Sequence, residues 1–228
     1  MAKKGLLVLV LAALVAGGAF AQVNFSFGGG GFFASDFGGG IEATMAGGLG
    51  TMKTEMPYTG GGGYLFFDAS YAELSFGFFS GGGDSKSTQS YGGTSTSTTT
   101  PFKATSLNIG LLGKFPIAVS DSLTLFPAVG IDYQAVVAAT QDGEAYKNRD
   151  GDEAPGDFSA LWIQFGGGVD YSFTSNIFLR CEMLYGIRIA NKFENDMVDF
   201  LKEMMPGVTA NPLPGHGLTI KLAIGWRF

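Results

Sequence analysis

The segment His216–Phe228, HGLTIKLAIGWRF, decides the fold that we predict for this chain. Its even-numbered positions from Leu218 to Phe228 are all large and apolar, whereas the odd-numbered positions are glycine, alanine or polar residues. Strict alternation with a period of two residues is typical of a β-strand with one apolar face and one polar face. A strand that crosses a bilayer at a tilt needs about 9–11 residues, and this segment is long enough. Its apolar face closes on two aromatic residues, which favour the interface between membrane and water.

The N-terminal residues have the features of a secretory signal. Two lysines precede an apolar run from Gly5 to Ala16, and Ala19-Phe20-Ala21 matches a small-residue cleavage site. We therefore predict a signal peptide over residues 1–21 and one mature domain over residues 22–228. Loss of the two lysines changes the formal charge from −6 to −8. No later apolar run is long enough for a transmembrane helix, so the sequence predicts an exported protein.

The composition excludes several classes of protein. The chain has 20 acidic and 14 basic residues and few basic clusters, which argues against nucleic acid as a partner. The single cysteine, Cys181, excludes an intramolecular disulfide framework and is predicted to face outward as a small apolar residue. The 37 glycines are interleaved with aromatic and aliphatic residues, so we interpret them as glycines within strands rather than as a disordered tract.

Seven further segments alternate like the C-terminal one, which gives eight predicted strands. Long and short connections follow one another in strict alternation. Bacterial outer-membrane barrels have an even number of strands, short periplasmic turns and longer external loops. An open sheet would leave unpaired backbone groups in lipid, so the sheet must close. The seven segments are residues 23–33, 58–67, 71–79, 102–115, 123–137, 158–173 and 177–190, and the long connections are residues 34–57, 81–101, 140–157 and 191–215.

The end of the chain resembles the C-terminal insertion signal of outer-membrane β-barrels, in which a polar and a small residue precede two aromatic residues. Over residues 22–228, the chain resembles the small eight-stranded proteins of the OmpA, OmpX and OmpW kind. The resemblance implies an all-β, eight-stranded antiparallel transmembrane up-and-down barrel in the bacterial outer membrane. It also implies the lipid bilayer and the barrel-assembly machinery as partners. The signal positions are taken here by Lys221, Ala223, Trp226 and Phe228, with alanine where glycine is commoner.

Charged residues on the polar faces are predicted to point into the lumen. An eight-stranded barrel has an interior just wide enough for side chains to fill. Because an unpaired buried charge is far more costly than a paired one, these residues are predicted to form a plug of ion pairs. The alternative is a selectivity filter or gate for a small solute. The predicted network is Glu73, Lys114, Asp132, Asp170, Arg180, Glu182, Arg188, Lys221 and Arg227.

The last long connection contains ENDMVDFLKEMMPG, which begins at Glu194. Its apolar residues recur at helical spacing, and Pro206-Gly207 ends the pattern, so a short amphipathic helix is predicted. The helix either packs on the barrel rim or contributes to an apolar ligand site. The residues predicted for that site are Met197, Phe200, Leu201 and Met204.

The sequence predicts no enzyme, no cofactor and no metal site. His216 is the only histidine, and no serine and aspartate partners for it are identifiable. The acidic segment 150–157, DGDEAPGD, offers oxygen ligands but lacks the spacing and the terminal glutamate of an EF-hand. We therefore interpret it as a solvated external loop.

Resemblance to the OmpW-like proteins implies a narrow porin-like conduit for small or hydrophobic solutes. An enclosed apolar site near Phe200 and Leu201 that opens sideways would be its mechanism. The alternative is a surface adhesin or host-interaction protein, whose external loops bind a host surface molecule while the barrel serves as the anchor. The Gly/Ser/Thr-rich second loop and the acidic third loop favour this alternative. A third possibility is structural support of the membrane.

Overall fold

The computed structural model describes residues 24–148 and 151–228. The predicted signal peptide therefore lies outside the described residues, as does Asp150 of the acidic loop. The described chain forms eleven strands, one α-helix, α1 (Lys192–Met204), and two short 3-10 segments at Ala46–Gly48 and Pro155–Phe158. The strands are β1 (Phe25–Thr44), β2 (Gly50–Glu55), β3 (Tyr58–Ala69), β4 (Ala72–Tyr91), β5 (Thr94–Lys114), β6 (Ile117–Ala118), β7 (Leu123–Gln141), β8 (Glu144–Ala145), β9 (Ala160–Ser172), β10 (Ile177–Asn191) and β11 (Thr209–Arg227).

Eight of these strands form a closed antiparallel ring. The order is β1, β3, β4, β5, β7, β9, β10 and β11, and β11 returns to pair with β1. The closing pair runs from Ser26 opposite Arg227 to Thr44 opposite Thr209. The predicted eight-stranded up-and-down barrel is confirmed, and its ring leaves no sheet edge to face lipid. We call the end with the short turns periplasmic and the other end external, by the convention for outer-membrane barrels.

The barrel is apolar outside and charged inside. Phe76 and Ile109, on neighbouring strands, are 51% and 49% exposed, whereas Glu73 is fully buried and Arg180 is 1% exposed. A soluble β-protein would place these two kinds of side chain the other way round. The outward apolar stripe is the surface that a lipid bilayer covers.

The strands continue well beyond the lengths predicted for them. Residues 34–57 and 81–101, predicted as loops, form the upper part of β1, β2, and the hairpin of β4 and β5. β2 pairs with both β1 and β4, in the place that β3 takes lower down. The external end of the molecule is therefore a five-stranded sheet in the order β11, β1, β2, β4, β5, which we call the external sheet.

The composition of the hairpin of β4 and β5 explains why its sequence predicts a loop. Its low-complexity run of threonine and serine lacks apolar residues, but threonine is β-branched and favours strands. Gly92 and Gly93 have φ values of 57° and 83°. Two consecutive residues with positive φ are what a tight two-residue hairpin turn requires. The strands accordingly pair up to Tyr91 opposite Thr94.

Three glycines let β1 exchange its faces where it leaves the membrane region. Gly38, Gly39 and Gly40 have φ values of 87°, 78° and 121°, which glycine adopts at little cost. Below them Asp36 is buried in the interior, and above them Ile41 is buried instead of its even-numbered neighbour. The external sheet therefore presents an apolar inner face, on which α1 packs. The described residues contain no helix with the length and apolarity of a membrane span.

Introducing a charge on the outward face tests this sidedness. We expect Ile109→Arg to destabilise the barrel by about 2–4 kcal/mol, because the arginine would lie near the middle of the apolar stripe of β5. Thr96→Arg, an exposed site on the same strand above the stripe, is the matched control and should change stability by less than about 0.5 kcal/mol. Urea unfolding in phospholipid vesicles measures both. Equal losses for the two variants would contradict the outward orientation of Ile109.

Candidate functional site

A cluster of charged residues fills the periplasmic half of the lumen. It contains four carboxylates and four cations, and it is therefore neutral when all are ionised. We call it the periplasmic plug. Its members are Asp68, Glu73, Asp170 and Glu182 with Lys114, Arg180, Lys221 and Arg227.

Arg180 on β10 is the centre of the plug. Its guanidinium donates two hydrogen bonds to Asp170, both 2.7 Å long. It also donates to Glu73 at 2.6 Å and to Asp68 at 2.8 Å. Planar guanidinium groups suit such multiple carboxylate contacts. The aromatic rings of Phe66, Phe126 and Phe178 lie 4.6 to 5.1 Å from its Cζ atom, within the range of a cation–π contact.

The other cations of the plug join the same carboxylates. Lys114 donates to both Asp68 and Glu73, and Lys221 lies 3.3 Å from Glu182. Arg227, nearest the periplasm, is 3.6 Å from Asp170. Phe178 from β10 fills the remaining space beside them. The plug therefore ties β3, β4, β5, β9, β10 and β11 together and closes this end of the lumen.

A second buried ion-pair group lies toward the external end of the barrel, and we call it the external latch. Arg188 on β10 contacts Asp36 on β1 at 3.2 Å and Glu194 on α1 at 2.5 Å. Its guanidinium fits between Gly39 and Gly215, where any side chain would collide with it. It also lies 5.5 Å from the ring of Trp162. The latch joins α1 to the barrel wall across the mouth.

Local sequence positions Glu194 for this contact. Asn191 caps the start of α1, and its side chain accepts a hydrogen bond from the backbone N–H of Glu194. The Glu194 carboxylate accepts from the N–H of Gly40 at 2.5 Å. Burial raises the pKa of Glu194, while the positive charge of Arg188 acts in the opposite direction. Removing Arg188 would therefore leave a costly buried carboxylate.

The apolar residues predicted for a loop site lie on α1 in different environments. Leu201 is buried together with Val198 against Ile41, Ala43 and Ala210 of the external sheet. Met197 and Phe200 are partly buried against the same cluster. Met204 is 58% exposed near the end of the helix. These contacts hold α1 as a cap on the sheet.

A cavity of about 70 Å³ lies between the plug and the latch. Asp36 borders it on the external side and Lys221 on the periplasmic side. Asp132, predicted as part of the ion-pair network, borders this cavity instead, and its carboxylate accepts a hydrogen bond from Asn108 at 3.1 Å. A separate cavity of about 200 Å³ lies at the periplasmic end, below Arg180 and Arg227. The two cavities have no lining residue in common.

An aromatic cluster fills a gap in the external wall. β9 pairs with β7 only up to Ala160 opposite Gln134, while β7 continues for seven more residues. Phe158 lies in this gap within 5 Å of the rings of Phe102, Tyr146 and Phe193. We call this group the aromatic gap filler.

The remaining predicted residues lie apart from the lumen. His216 accepts or donates a 2.8 Å hydrogen bond with the hydroxyl of Tyr185, beside Phe37. Cys181 is exposed on the outward face, as its position in the alternation predicts. In the described residues, no group of three or more histidine, cysteine, aspartate or glutamate side chains is arranged to hold a metal ion.

The four residues of the predicted insertion signal divide between the two faces of β11. Lys221 and Ala223 are buried in the lumen, whereas Trp226 and Phe228 are on the outside. Phe228 is 73% exposed, and its ring stacks on Phe27 at a centroid distance of 5.6 Å. Its side chain therefore contributes little to the packing of the finished barrel.

Because Phe228 is exposed in the folded barrel, its effect on assembly can be measured separately from its effect on stability. We expect Phe228→Ala to lower the amount of barrel in the outer membrane of cells severalfold, because the terminal aromatic residue belongs to the predicted signal. Its unfolding free energy in vesicles should fall by less than about 1 kcal/mol. Phe27→Ala, which removes the other ring of the same stack, is the control and should assemble normally. Equal assembly of both variants would rule out a recognition role for Phe228.

Three residues that complete the plug and the latch were missed by sequence reasoning. Asp68 falls in the short connection between the predicted strands 58–67 and 71–79, but in the structure it lies opposite Glu73 in the register of β3 and β4. Asp36 lay in a predicted loop. For Glu194, a usable signal existed, because asparagine three residues before glutamate is a capping pattern at a helix start. Its ion pair with Arg188 has no local signal.

The family model for the outer membrane protein beta-barrel domain matches residues 6–210 of the chain. A comparison with curated proteins gives no match. Among solved structures, the chain is similar to OprG from Pseudomonas aeruginosa, with 12% identity and a TM-score of 0.40 over 91% of this chain and 96% of OprG.

Two further solved structures are similar in the same way. The attachment invasion locus protein Ail of Yersinia pestis, in complex with the heparin analogue sucrose octasulfate, has 12% identity and a TM-score of 0.37, covering 91% of this chain and all of Ail. The outer membrane protease OmpT from Escherichia coli has 10% identity and a TM-score of 0.42, covering 92% and 99%. At these identities and scores, the likenesses carry no inference about activity.

Proposed function

Since this chain belongs to the outer membrane protein β-barrel family and lies in the bacterial outer membrane, we propose that its barrel is a closed anchor for a ligand-binding sheet outside the cell. The observation that supports this most is the presence of buried ion pairs at two levels of the lumen, in the periplasmic plug and in the external latch. A solute that crossed the lumen would have to separate both groups of buried ion pairs. Each separation leaves charges unpaired at low polarity, which is strongly unfavourable.

The external sheet offers the binding surface. Its outermost hairpin, residues 84–100, is dominated by serine and threonine, and residues 94–99 are all exposed. Hydroxyl groups both donate and accept hydrogen bonds, so such a surface suits polar ligands. Binding residues commonly lie on exposed segments that a rigid scaffold holds in place, and here the scaffold is the barrel.

Two measurements on one pair of proteins test this proposal. In planar bilayers, the purified barrel should give no conductance steps. Bacteria that display the chain should bind immobilised host extracellular matrix, and a chain with residues 86–99 replaced by Asn-Gly should not. This replacement keeps Ser85 opposite Thr100, so the shortened hairpin retains its register. Steady conductance, or matrix binding that survives the replacement, would overturn the proposal.

A sideways conduit for small hydrophobic solutes is the second candidate function. The aromatic gap filler favours it, because Phe158 occupies the one stretch of the described wall where β7 and β9 have parted. Displacement of that ring would open a route from the external mouth toward the outer leaflet. Vesicle uptake of a hydrophobic fluorophore should then rise in Phe158→Ala, whereas an unchanged rate would exclude this route.

We infer that the barrel reaches the membrane through the barrel-assembly machinery and that it has no catalytic role. The terminal aromatic residues support the first inference. For the second, the hydrogen bond of His216 is to Tyr185 rather than to a carboxylate. Purified protein should leave phospholipid and peptide substrates unchanged in vesicles.

A further inference from the structure

Within residues 24–148 and 151–228, one edge of the external sheet has no neighbouring strand. β5 pairs with β4 along its whole length, but it pairs with β7 only from Phe102 downward. β7 turns away after Gln141, because Asp142 and Gly143 have positive φ values of 53° and 84° and lead directly into β8. The segment Thr94–Thr100 therefore has a strand on one side only. We call it the open edge.

The register identifies the backbone groups on the open edge. The carbonyl of Pro101 accepts a hydrogen bond from the N–H of Asp142, so odd-numbered residues of β5 point toward the side of β7. Successive residues of a strand point their N–H and C=O groups to opposite sides. Ser95, Ser97 and Thr99 therefore present three N–H and three C=O groups without a strand partner. The even-numbered threonines between them bond to β4.

The open edge lacks the features that usually prevent strand addition. Proteins protect such edges with charged side chains, prolines, bulges or a covering segment. Residues 94–100 contain no charge and no proline, and their register with β4 is unbroken. The proline of β5 is Pro101, at the point where the pairing with β7 begins. The threonines favour an extended backbone, so the edge is already in the conformation that an added strand needs.

We propose that the open edge binds an extended segment of a partner protein by β-strand addition. This inference rests on the proposed function, since it names the kind of ligand that the external sheet takes. The added strand continues the line of β7 and is therefore antiparallel to β5. Backbone hydrogen bonds supply most of its affinity, and the serine and threonine rows favour uncharged, β-branched side chains beside them.

Charge constrains the residues at the end of the segment that lies near the barrel. The added strand begins where β7 turns away, beside Asp142 and Glu144, which are both exposed. Opposite charges close together favour binding, so the segment carries lysine or arginine at its N-terminal end. An acidic segment would be repelled at the same place.

The experiment uses the full-length barrel in nanodiscs and a synthetic peptide, Lys-Lys-Thr-Val-Thr-Val-Thr, as the probe. In the free protein, the N–H groups of Thr96, Thr98 and Thr100 should exchange slowly with deuterium, and those of Ser95, Ser97 and Thr99 should exchange fast. Addition of the peptide should slow the second set. A peptide N-methylated at alternate residues, and one that begins with two glutamates, should bind at least about tenfold more weakly.

A matched pair of variants assigns the binding to the backbone. Ser97→Pro removes one N–H on the open side and none that bonds to β4, so it should weaken the peptide at least about tenfold. Ser97→Val keeps the N–H and should bind as the parent does. Retained protection of Thr96 and Thr98 in Ser97→Pro shows that the hairpin is folded.

Three outcomes of the peptide experiments would overturn the inference. They are protection of Ser97 in the free protein, which would mean that a second copy covers the edge, equal binding of the N-methylated peptide, and equal losses in Ser97→Val and Ser97→Pro. The proposed function is tested separately. If Ser97→Pro still binds host matrix while the Asn-Gly replacement does not, the sheet binds ligands but not through this edge.

Discussion

Replacing Arg180 with methionine is expected to destabilise the barrel by about 3–5 kcal/mol, because it leaves buried carboxylates without their cation. Arg180 is 1% exposed and bonds to three carboxylates at once. Lys114 would then be the main remaining cation for Asp68 and Glu73, and Asp170 would keep only the longer contact with Arg227. Unfolding by guanidinium chloride in detergent micelles, followed by tryptophan fluorescence, measures the loss.

Two further variants separate loss of charge balance from loss of packing. Arg227→Met should cost less than about 1 kcal/mol, because this arginine is partly exposed and its ion pair is long. Adding Asp170→Asn and Glu73→Gln to Arg180→Met should recover part of the stability, since neutral amides do not need a cation. An Arg180→Met barrel as stable as the parent would show that the plug does not hold the strands together.

The positions of the strands were predictable because the membrane imposes a simple rule. Outward residues contact lipid and are therefore apolar. A charged residue such as Glu73 next to Leu74 therefore identifies the inward face of its strand. The rule weakens inside the lumen. Phe178 and Leu184 are each 1% exposed and face inward, because the interior must be filled as well as neutralised. In a strand with large residues on both faces, such as β3 around Tyr64 and Phe66, alternation therefore does not identify the inward face.

The external half was harder to predict because no lipid acts on it. In the outermost hairpin of β4 and β5, both faces of each strand contact water, and the apolar alternation disappears from the sequence. The run of serine and threonine from Ser85 to Thr100 therefore looked like a mobile loop. Only the two glycines at its centre indicated a hairpin turn.

The external latch depends on contacts between residues that are far apart in the chain. Arg188 and Asp36 are separated by 152 positions, and Gly40 and Glu194 by 154. Alternation predicted that Arg188 faces inward, but it does not say which carboxylate meets it. That information comes from closure of the ring, which places β11 between β1 and β10.

Replacing Arg188 with methionine is expected to release α1 while the barrel below it stays folded. Asp36 and Glu194 would be left buried without a cation, at a cost of about 3–5 kcal/mol. Because the ring of strands and the periplasmic plug do not involve Arg188, the cost should appear as local opening of α1 rather than as global unfolding. Amide exchange in residues 192–204 should accelerate by at least about a hundredfold, and exchange in β10 below the latch should not change.

The matched control is Lys192→Met at the start of the same helix. Lys192 makes two ion pairs, with Asp157 and Asp196, but its side chain is 60% exposed. Solvent screens such pairs, so the control should change helix exchange less than about fivefold. Equal acceleration in both variants would show that the buried contact of Arg188 is not what holds the helix.

Arg188→Met also tests whether the external latch or the periplasmic plug blocks the lumen. Arg188→Met opens only the external end, and the periplasmic plug should keep its conductance at zero. Conductance in Arg188→Met alone would mean that water and ions pass the plug, and the closed-anchor function would fail. Conductance that requires loss of both Arg188 and Arg180 would show that the latch and the plug block the lumen in series. A barrel that conducts solutes permanently would not have two such barriers.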